Sequence, residues 1–208
     1  MHQAGVAAAQ PARPAWLLLG GWILAGAAAA GGTALLGQFL EDFTLAVSLG
    51  CAQTLVLLWY RFPHAGWWAP ASLVGSFVVP IVVSVLFLSA VPATLGAGFE
   101  TAWWAGSLGG GALFQAGVLA AGLERPRRVA LLWLTASVAG SLLFQVMADT
   151  AGAFMFQLRD LWTAGEVGAL AARQLREHVL AWSVGGALYG LVTGLALLGV
   201  THARHARS

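Results

Sequence analysis

Long apolar stretches, separated by short segments that carry the charges, are the feature that most restricts how this chain folds. Only 9% of the residues are charged, whereas soluble domains carry roughly a quarter. A helix of about 20 apolar residues is long enough to cross the hydrocarbon core of a bilayer. We therefore expect an integral membrane protein whose principal partner is the lipid bilayer.

The stretches predict an all-α fold, a polytopic membrane helix bundle with six transmembrane helices arranged as three helical hairpins in a single membrane domain, 1–208. A short amphipathic helix is expected within the extramembrane segment 161–178, because apolar residues recur there at helical spacing. It either lies on the membrane or extends span six outward. The expected spans are 16–36, 43–60, 67–91, 103–123, 129–147 and 179–200.

The first stretch also has features of a cleavable signal peptide. Arg13 precedes a short apolar core, and small residues follow at Ala27 to Ala30. The apolar stretch continues through Leu36, however, and is long enough to cross a membrane. We therefore expect it to be a span, with cleavage as the alternative.

The arginines are shared unequally between the two sides that alternate along six spans. All ten basic residues are Arg, and the lack of Lys and Asn is typical of a GC-rich bacterial genome. Basic residues concentrate in cytoplasmic loops. We therefore expect a bacterial inner (cytoplasmic) membrane protein with both termini in the cytoplasm. The arginines on that side are Arg13, Arg61, Arg125, Arg127, Arg128, Arg204 and Arg207.

Tryptophans near the ends of the expected spans predict aromatic belts at the two membrane surfaces. Trp22 lies inside the first span and is expected to point inward or into lipid. The expected inner belt contains Trp16, Trp59, Trp67, Trp68 and Trp133, and the outer belt contains Trp103, Trp104 and Trp182.

A short motif recurs in the even-numbered spans. Ser107 to Gln115 reads SLGGGALFQ, Ser183 to Gly190 reads SVGGALYG, and Ser48 to Gln53 reads SLGCAQ. The third and fifth spans share the pattern Ser-x2-Gly-Ser, which begins at Ser72 and Ser137. These similarities predict a parallel internal repeat of three hairpins. Chance similarity in a sequence rich in Gly, Ala and Leu is the alternative.

Glycines at four-residue spacing are expected to be helix-packing positions. Lipid tails are as apolar as leucine, so helices in a membrane associate where small residues let their backbones approach. The glycines serve either packing within the bundle or contact with another subunit. They are Gly106, Gly110, Gly186, Gly190 and Gly194.

Polar side chains inside apolar spans are candidates for ligand binding. Gln53, Gln115 and Gln145 each lie well inside a span, and Pro80 interrupts the amide ladder of the third span, where a kink is expected. The three amides either bond to one another between helices or line a ligand cavity near Pro80.

Other functional classes lack the residues that they need. No charged residue lies at the centre of an expected span, which argues against proton-coupled pumps. A rhomboid-type protease needs Gly-x-Ser-Gly, but the nearest serine, Ser141, is followed by Leu142. We find no catalytic motif, no metal-ligand spacing, no cofactor motif and no extended basic segment for nucleic acid. Cys51 has no partner for a disulfide.

We therefore expect a non-enzymatic accessory or structural subunit that packs against other membrane proteins or against a second copy of itself. The alternative is a small-molecule binding or transport component for a mostly apolar ligand. The two hypotheses differ in the interior: a solid core favours the subunit, and a polar-lined pocket favours the binding component.

Overall fold

In a computed structural model, the chain is described at residues 14–36, 41–62, 64–90, 109–121, 126–163 and 168–205. These residues form six α-helices and no β-strand. The prediction of an all-α fold is therefore confirmed for the described part of the chain. The helices are α1 (Ala15–Leu36), α2 (Glu41–Trp59), α3 (Trp68–Ala90), α4 (Gly109–Ala120), α5 (Pro126–Thr163) and α6 (Gly168–His205).

Four segments are long and apolar enough to cross a membrane: Ala15–Leu35, Ala65–Val82, Pro126–Ala148 and Leu175–Thr201. Two shorter apolar helices, Thr44–Trp59 and Gly109–Ala120, lie between them in the chain. Large apolar side chains are exposed on the outside of the bundle, which suits contact with lipid. The fold is therefore consistent with a membrane helix bundle that has four helices of full spanning length in its described part.

The connection between the fifth and sixth predicted spans differs from expectation. The sequence predicts a long extramembrane segment there, with a short amphipathic helix that either lies on the membrane or extends span six, whereas α5 continues to Thr163 and α6 already begins at Gly168. The last part of α5 and the first part of α6, each helix being 38 residues long, therefore occupy most of the expected connection. The amphipathic residues before His178 therefore belong to α6, as an extension of span six, because apolar and helix-forming residues continue without a break.

A tight turn joins α2 to α3. Arg61 has a left-handed backbone with φ of 57°, and its amide donates to the Leu58 carbonyl over 3.0 Å. The Phe62 amide donates to the Leu57 carbonyl over 2.8 Å, and the Phe62 side chain is buried. These two bonds form a Schellman motif, which ends a helix by satisfying its last carbonyls. A single-turn 3₁₀ helix, Ala65–Trp67, then leads into α3.

The six helices form a closed ring in the order of the chain. Contacts join α1 to α2, α2 to α3, α5 to α6, and α6 back to α1. Gly75 of α3 meets Gly110 of α4, and Trp133 of α5 bonds to Gln115 of α4, so the remaining neighbours also touch. The first and last helices therefore close the ring around a common axis.

Candidate functional site

Three tryptophans, one from each odd-numbered helix, meet at the axis of the ring. Trp22, Trp68 and Trp133 have no solvent exposure, and their ring centroids lie 5.6 Å, 6.2 Å and 5.1 Å apart in pairs. All three pairs are edge-to-face, with interplanar angles of 74° to 81°. This is a favourable geometry for aromatic rings. We call these three residues the indole triad.

Each indole of the triad donates a hydrogen bond to an even-numbered helix. Trp68 Nε1 donates to Gln53 Oε1 of α2 over 2.9 Å. Trp133 Nε1 donates to Gln115 Oε1 of α4 over 3.3 Å. Trp22 Nε1 donates to Thr193 Oγ1 of α6 over 2.9 Å. Because α6 precedes α1 around the ring, all three bonds run from an odd helix to the even helix before it. The contacts therefore have pseudo-threefold symmetry.

The sequence around the triad repeats in the same register. Each tryptophan is followed three residues later by alanine and four residues later by a small residue. That fourth residue is Gly26 on α1, Ser72 on α3 and Ser137 on α5. All three are buried. The Ser-x2-Gly-Ser pattern of the third and fifth spans shares this register, whereas the glycine motif of the even-numbered spans pairs Gln115 with Gly190 and not with Thr193, the acceptor of the Trp22 bond.

The expected belt positions of several tryptophans are wrong. Trp68, Trp133 and Trp182 are buried in the bundle, whereas Trp16, Trp59 and Trp67 are exposed as a belt requires. Trp22 points inward, one of its two expected directions. Buried and exposed tryptophans both lie near the ends of predicted spans, so position in the span does not distinguish them. The recurring Trp-x2-Ala pattern marks the three indoles of the triad, but it does not mark Trp182, which is buried and is followed three residues later by Gly185. Trp103 and Trp104 lie outside the described residues.

Most of the predicted packing glycines lie against neighbouring helices. A Cβ atom on Gly186 would overlap with the Gly26 carbonyl of α1, and one on Gly110 would overlap with the Gly75 carbonyl of α3. A Cβ on Gly190 would lie 2.9 Å from the Trp22 carbonyl oxygen.

A Cβ on Gly194 would lie 2.9 Å from Leu19 Cδ1. Gly186, Gly190 and Gly194 therefore all face α1, where they let α6 close the ring. Gly106 lies outside the described residues.

Next to the indole triad, toward the C-terminal ends of the odd-numbered helices, lies a cavity of about 60 Å³. All six helices contribute to its wall. The wall is built from small residues and a few polar groups, of which Ser72, Ser76, Ser141 and Gln115 can hydrogen bond. The apolar part contains Gly26, Ala30, Leu45, Ala46, Leu49, Gly50, Gly111, Ala112, Phe144 and Gly186, and Tyr189 completes the wall.

The predicted amide residues are placed differently from one another. Gln115 lines the cavity, and Gln53 is fully buried beside the indole triad, one helical turn from the cavity residue Gly50. Gln145 is partly buried and lies outside the cavity wall, and Pro80 is buried inside α3 and also outside the wall. The structure thus brings two of the three glutamines into equivalent positions and leaves the third apart.

Gln115 connects three helices through one side chain. Its Oε1 accepts from Trp133 of α5, and its Nε2 donates to Ser72 Oγ of α3 over 2.7 Å. Ser72 Oγ in turn donates to the Trp68 carbonyl over 2.8 Å. Both ends of the amide are therefore used between helices. Gln53 differs, since Trp68 bonds to its Oε1 while its Nε2 has no partner among the described residues.

A second polar region lies nearer the N-terminal end of α6 than the cavity residues Gly186 and Tyr189. His178 and Trp182 are buried one turn apart, with ring centroids 5.5 Å apart, and Trp182 packs edge-to-face on Phe144 at 5.3 Å. Among the described residues, no three His, Cys, Asp or Glu side chains come together in a way that would hold a metal ion. The cavity is therefore the region where polar groups from several helices converge on open space.

No protein-family model, curated protein or solved structure matches this chain. Its function has to be argued from the residues of the cavity and their chemistry. The wall residues carry hydroxyl and amide groups, with no Asp, Glu, Arg or Lys among them. Such a wall can hold a neutral molecule through hydrogen bonds and close apolar contact.

Proposed function

We propose that this chain is a non-enzymatic protein of the bacterial inner membrane that binds or transports a small, mostly apolar molecule in the cavity of its helix ring. In this proposal it crosses the membrane six times, with both termini in the cytoplasm. The proposal rests on the cavity, because all six helices contribute to its wall and polar groups from several helices converge there. Concave, mostly apolar sites with a few placed polar groups are typical of small-molecule sites.

The energetics of packing support this proposal over a merely imperfect core. Empty space inside a bundle costs stability in proportion to its volume. One turn away the indole triad occupies the same axis with no solvent exposure, so the fold can pack its centre. Small residues from every helix keep the next layer open instead. A partly open space that small residues keep free on the axis favours a binding role.

Native mass spectrometry of the protein extracted in mild detergent from its own membrane tests this function. We expect a small non-covalent adduct on the wild-type particle and its loss in S76L, which places a larger side chain in the cavity. V78L is the matched control, because Val78 lies on the exposed side of the same helix. A wild-type particle without an adduct would overturn the proposal, as would an adduct that S76L retains.

Cysteine labelling in intact cells tests the six-span arrangement. On a Cys51→Ser background, a cysteine at His64 or Arg128 is expected to react with an impermeant maleimide only after the cells are opened. A cysteine at Arg176 is expected to react from outside. All three positions are exposed. The opposite pattern would reverse the orientation, and labelling of all three from one side would exclude six spans.

An accessory subunit is the second candidate, and a groove on the outside of the bundle favours it. Trp67 and Val74 of the α3 region and Phe114 and Gly117 of α4 line this groove, and all four are exposed. In the described part of the chain, no heavy atom lies close to the position of a Cβ on Gly117. A small residue beside exposed apolar ones suits lateral packing of another membrane helix. Further protein chains in the extracted particle would support this candidate, and a lone chain would oppose it.

A further inference from the structure

The groove between the outer faces of α3 and α4 is large, apolar and open. Trp67, Val74 and Phe114 line it and are 67%, 40% and 39% exposed. Gly117 also lines it, and among the described residues no heavy atom lies close to a Cβ there. The groove has a volume of about 560 Å³, whereas a cavity of ~150 Å³ in another protein holds benzene. It therefore has room for a hydrocarbon chain of more than about ten carbons.

The groove begins at one end of the bundle and runs into its apolar part. His64 and Trp67, in the turn before α3, line one end together with Ala121, just after α4. Val74 and Phe114 line the other end. Helix geometry places Val74 about 10 Å further along the bundle than Trp67, against the roughly 30 Å of a hydrocarbon core. An occupant of the groove is therefore at the end of the bundle on one side and beside the first third of that core on the other.

Exposed arginines lie on both sides of this end. Arg61 precedes His64 by three residues in the same turn, and its side chain is exposed. Arg127 and Arg128 are exposed at the start of α5. The turn between α2 and α3 and the first turn of α5 thus both present positive charge beside the groove.

The bond between Trp133 and Gln115 establishes how far along the bundle the arginines of α5 lie. The short connection between α4 and α5 makes these helices antiparallel. Arg128 precedes Trp133 by five residues, which is about 7.5 Å along α5. The same distance along α4 from Gln115 leads to Ala120, next to the end of the groove. Neighbouring helix axes are about 8–10 Å apart, so Arg128 is about one helix width from that end.

The charge at this end complements an anionic head group. In the sequence, Glu124 and Arg125 between α4 and α5 add no net charge to that of the three exposed arginines. A guanidinium group can bind two phosphate oxygens at once. Basic residues between membrane helices are typical of sites for anionic lipids. An apolar membrane helix would fill the groove but would leave this charge unmatched, which favours a lipid as the occupant.

We propose that this groove binds one anionic phospholipid, whose acyl chain lies along Gly117 and whose phosphate contacts Arg61, His64 and the arginines of α5. The indole of Trp67 lies where the head group meets the chain, as tryptophans at membrane surfaces do. The lipid site is on the outside of the ring, so it does not depend on the central cavity or on the function proposed for it.

Native mass spectrometry of the full chain in a non-ionic detergent tests the charge at this site. The chain is titrated with phosphatidylglycerol and with phosphatidylcholine that has the same acyl chains. We expect phosphatidylglycerol to bind about fivefold or more tightly, since each basic residue near an anionic head group contributes about that factor. R61Q/R127Q/R128Q should bring the two affinities to within about twofold. R176Q is the control and should keep the preference, because Arg176 is exposed near the start of α6, at the opposite end of the bundle.

The same titration tests the apolar part of the site. G117L fills the groove without meeting any described heavy atom, so we expect both lipids to bind at least about fivefold more weakly. G109L is the matched control on α4, since a Cβ on Gly109 also meets no described heavy atom but Gly109 is outside the groove. Glycerol 3-phosphate, which has the head-group chemistry without acyl chains, should not displace phosphatidylglycerol at equal concentration.

Three outcomes would overturn the proposal: equal affinity of the wild type for the two lipids, a preference that R61Q/R127Q/R128Q retains, or lipid binding that G117L leaves unchanged. A protein chain that co-purifies with the wild type and is lost in G117L would assign the groove to a membrane helix instead.

A measurement on the wild type keeps the test independent of how the variants fold. Phosphatidylglycerol with a photoreactive group early in its acyl chain should crosslink within 67–74 or 114–121. Crosslinks spread evenly over the exposed faces of the other helices would overturn the site.

Discussion

The contact of α2 with α3 and the contact of α6 with α1 use equivalent residues in different ways. In both, an indole donates to the preceding helix, to Gln53 in one and to Thr193 in the other. One turn further, Ser72 packs on Gly50 at the α2–α3 contact, whereas Gly26 meets Gly186 with their backbones in contact at the α6–α1 contact.

The difference teaches that one repeat position can serve either a hydrogen bond or close approach. Ser72 keeps its hydroxyl and accepts a bond from a third helix. Gly26 gives up the hydroxyl and lets α6 touch α1, which closes the ring. Symmetry of the backbone is thus compatible with asymmetry of the polar groups around the axis. The unpaired Nε2 group of Gln53, against the fully bonded amide of Gln115, is a second case of that asymmetry among the described residues.

The largest effect is expected from breaking the glycine contact with G26L. A leucine there would overlap with the α6 backbone, which cannot yield as a flexible side chain can. We expect a loss of about 3 kcal/mol or more in the free energy of unfolding, or failure to recover a monodisperse particle. G32L is the control, because no heavy atom of the described residues lies near a Cβ on Gly32 of the same helix. Equal thermal stability of the two variants in detergent would contradict the close contact.

Trp67 and Trp68 are neighbours in the chain, but only Trp68 belongs to the indole triad, and Trp67 lies on the exposed surface. Trp68 has 0% exposure and Trp67 has 67%. We expect W68A to lose about 3 kcal/mol, because it leaves a void and strands Gln53, whereas W67A loses under about 1 kcal/mol. Thermal unfolding in detergent, followed by tryptophan fluorescence, gives both values. A larger loss of stability in W67A than in W68A would contradict the burial of Trp68 in the indole triad.

Gln53 and Gln115 accept equivalent indole hydrogen bonds, so substituting each of them compares the two positions directly. Q115L removes bonds to Ser72 and Trp133, whereas Q53L removes one bond and also an unsatisfied N–H group. We therefore expect Q115L to cost about 1 kcal/mol more than Q53L, since removing an unpaired buried donor offsets part of the lost bond. Chemical unfolding of both variants in the same detergent measures the difference. Equal losses would mean that the Gln53 amide is fully paired.

The smallest effect is expected for the threonine that replaces a glutamine in the third repeat. T193V keeps the shape of the side chain but removes the acceptor of the Trp22 bond. Hydrogen bonds between membrane helices average about 0.6 kcal/mol, so a loss near that value is expected. T33V is the control, since Thr33 is equally buried but bonds within its own helix, to Ala29. The indole N–H signal of Trp22 should move in T193V and stay in T33V.

The sequence predicts much of this fold because its strongest signals are local. Apolar stretches determine the helices, and glycines at four-residue spacing mark where α6 meets α1. The long helical connection after Ala148 is not predicted, because lower hydropathy there indicates a loop, whereas helix-forming residues continue. Whether all six helices cross the membrane depends on lipid and stays a prediction.

The candidate site is predicted less completely, because it depends on which residues meet across helices. Gln53 and Gln115 are chosen from the sequence, but their bonds to indoles are not, since tryptophans at span ends are usually found at membrane surfaces. The shared register of Trp22, Trp68 and Trp133 is a signal in the sequence that would have shown them. Once that register is known, Ser72 of the cavity wall is recognised as the fourth residue after Trp68.

Closure of the ring by its first and last helices has a consequence for biosynthesis. Trp22 and its partner Thr193 are 171 residues apart in the chain. At a synthesis rate of about 5–20 residues per second, the ribosome needs roughly 10–30 s to make the second after the first. During that interval the Trp22 N–H group and the glycine face of α1 await their final neighbours in the bilayer. A nascent chain arrested before α6 would therefore hold an open, five-helix arc that is exposed to membrane chaperones and proteases.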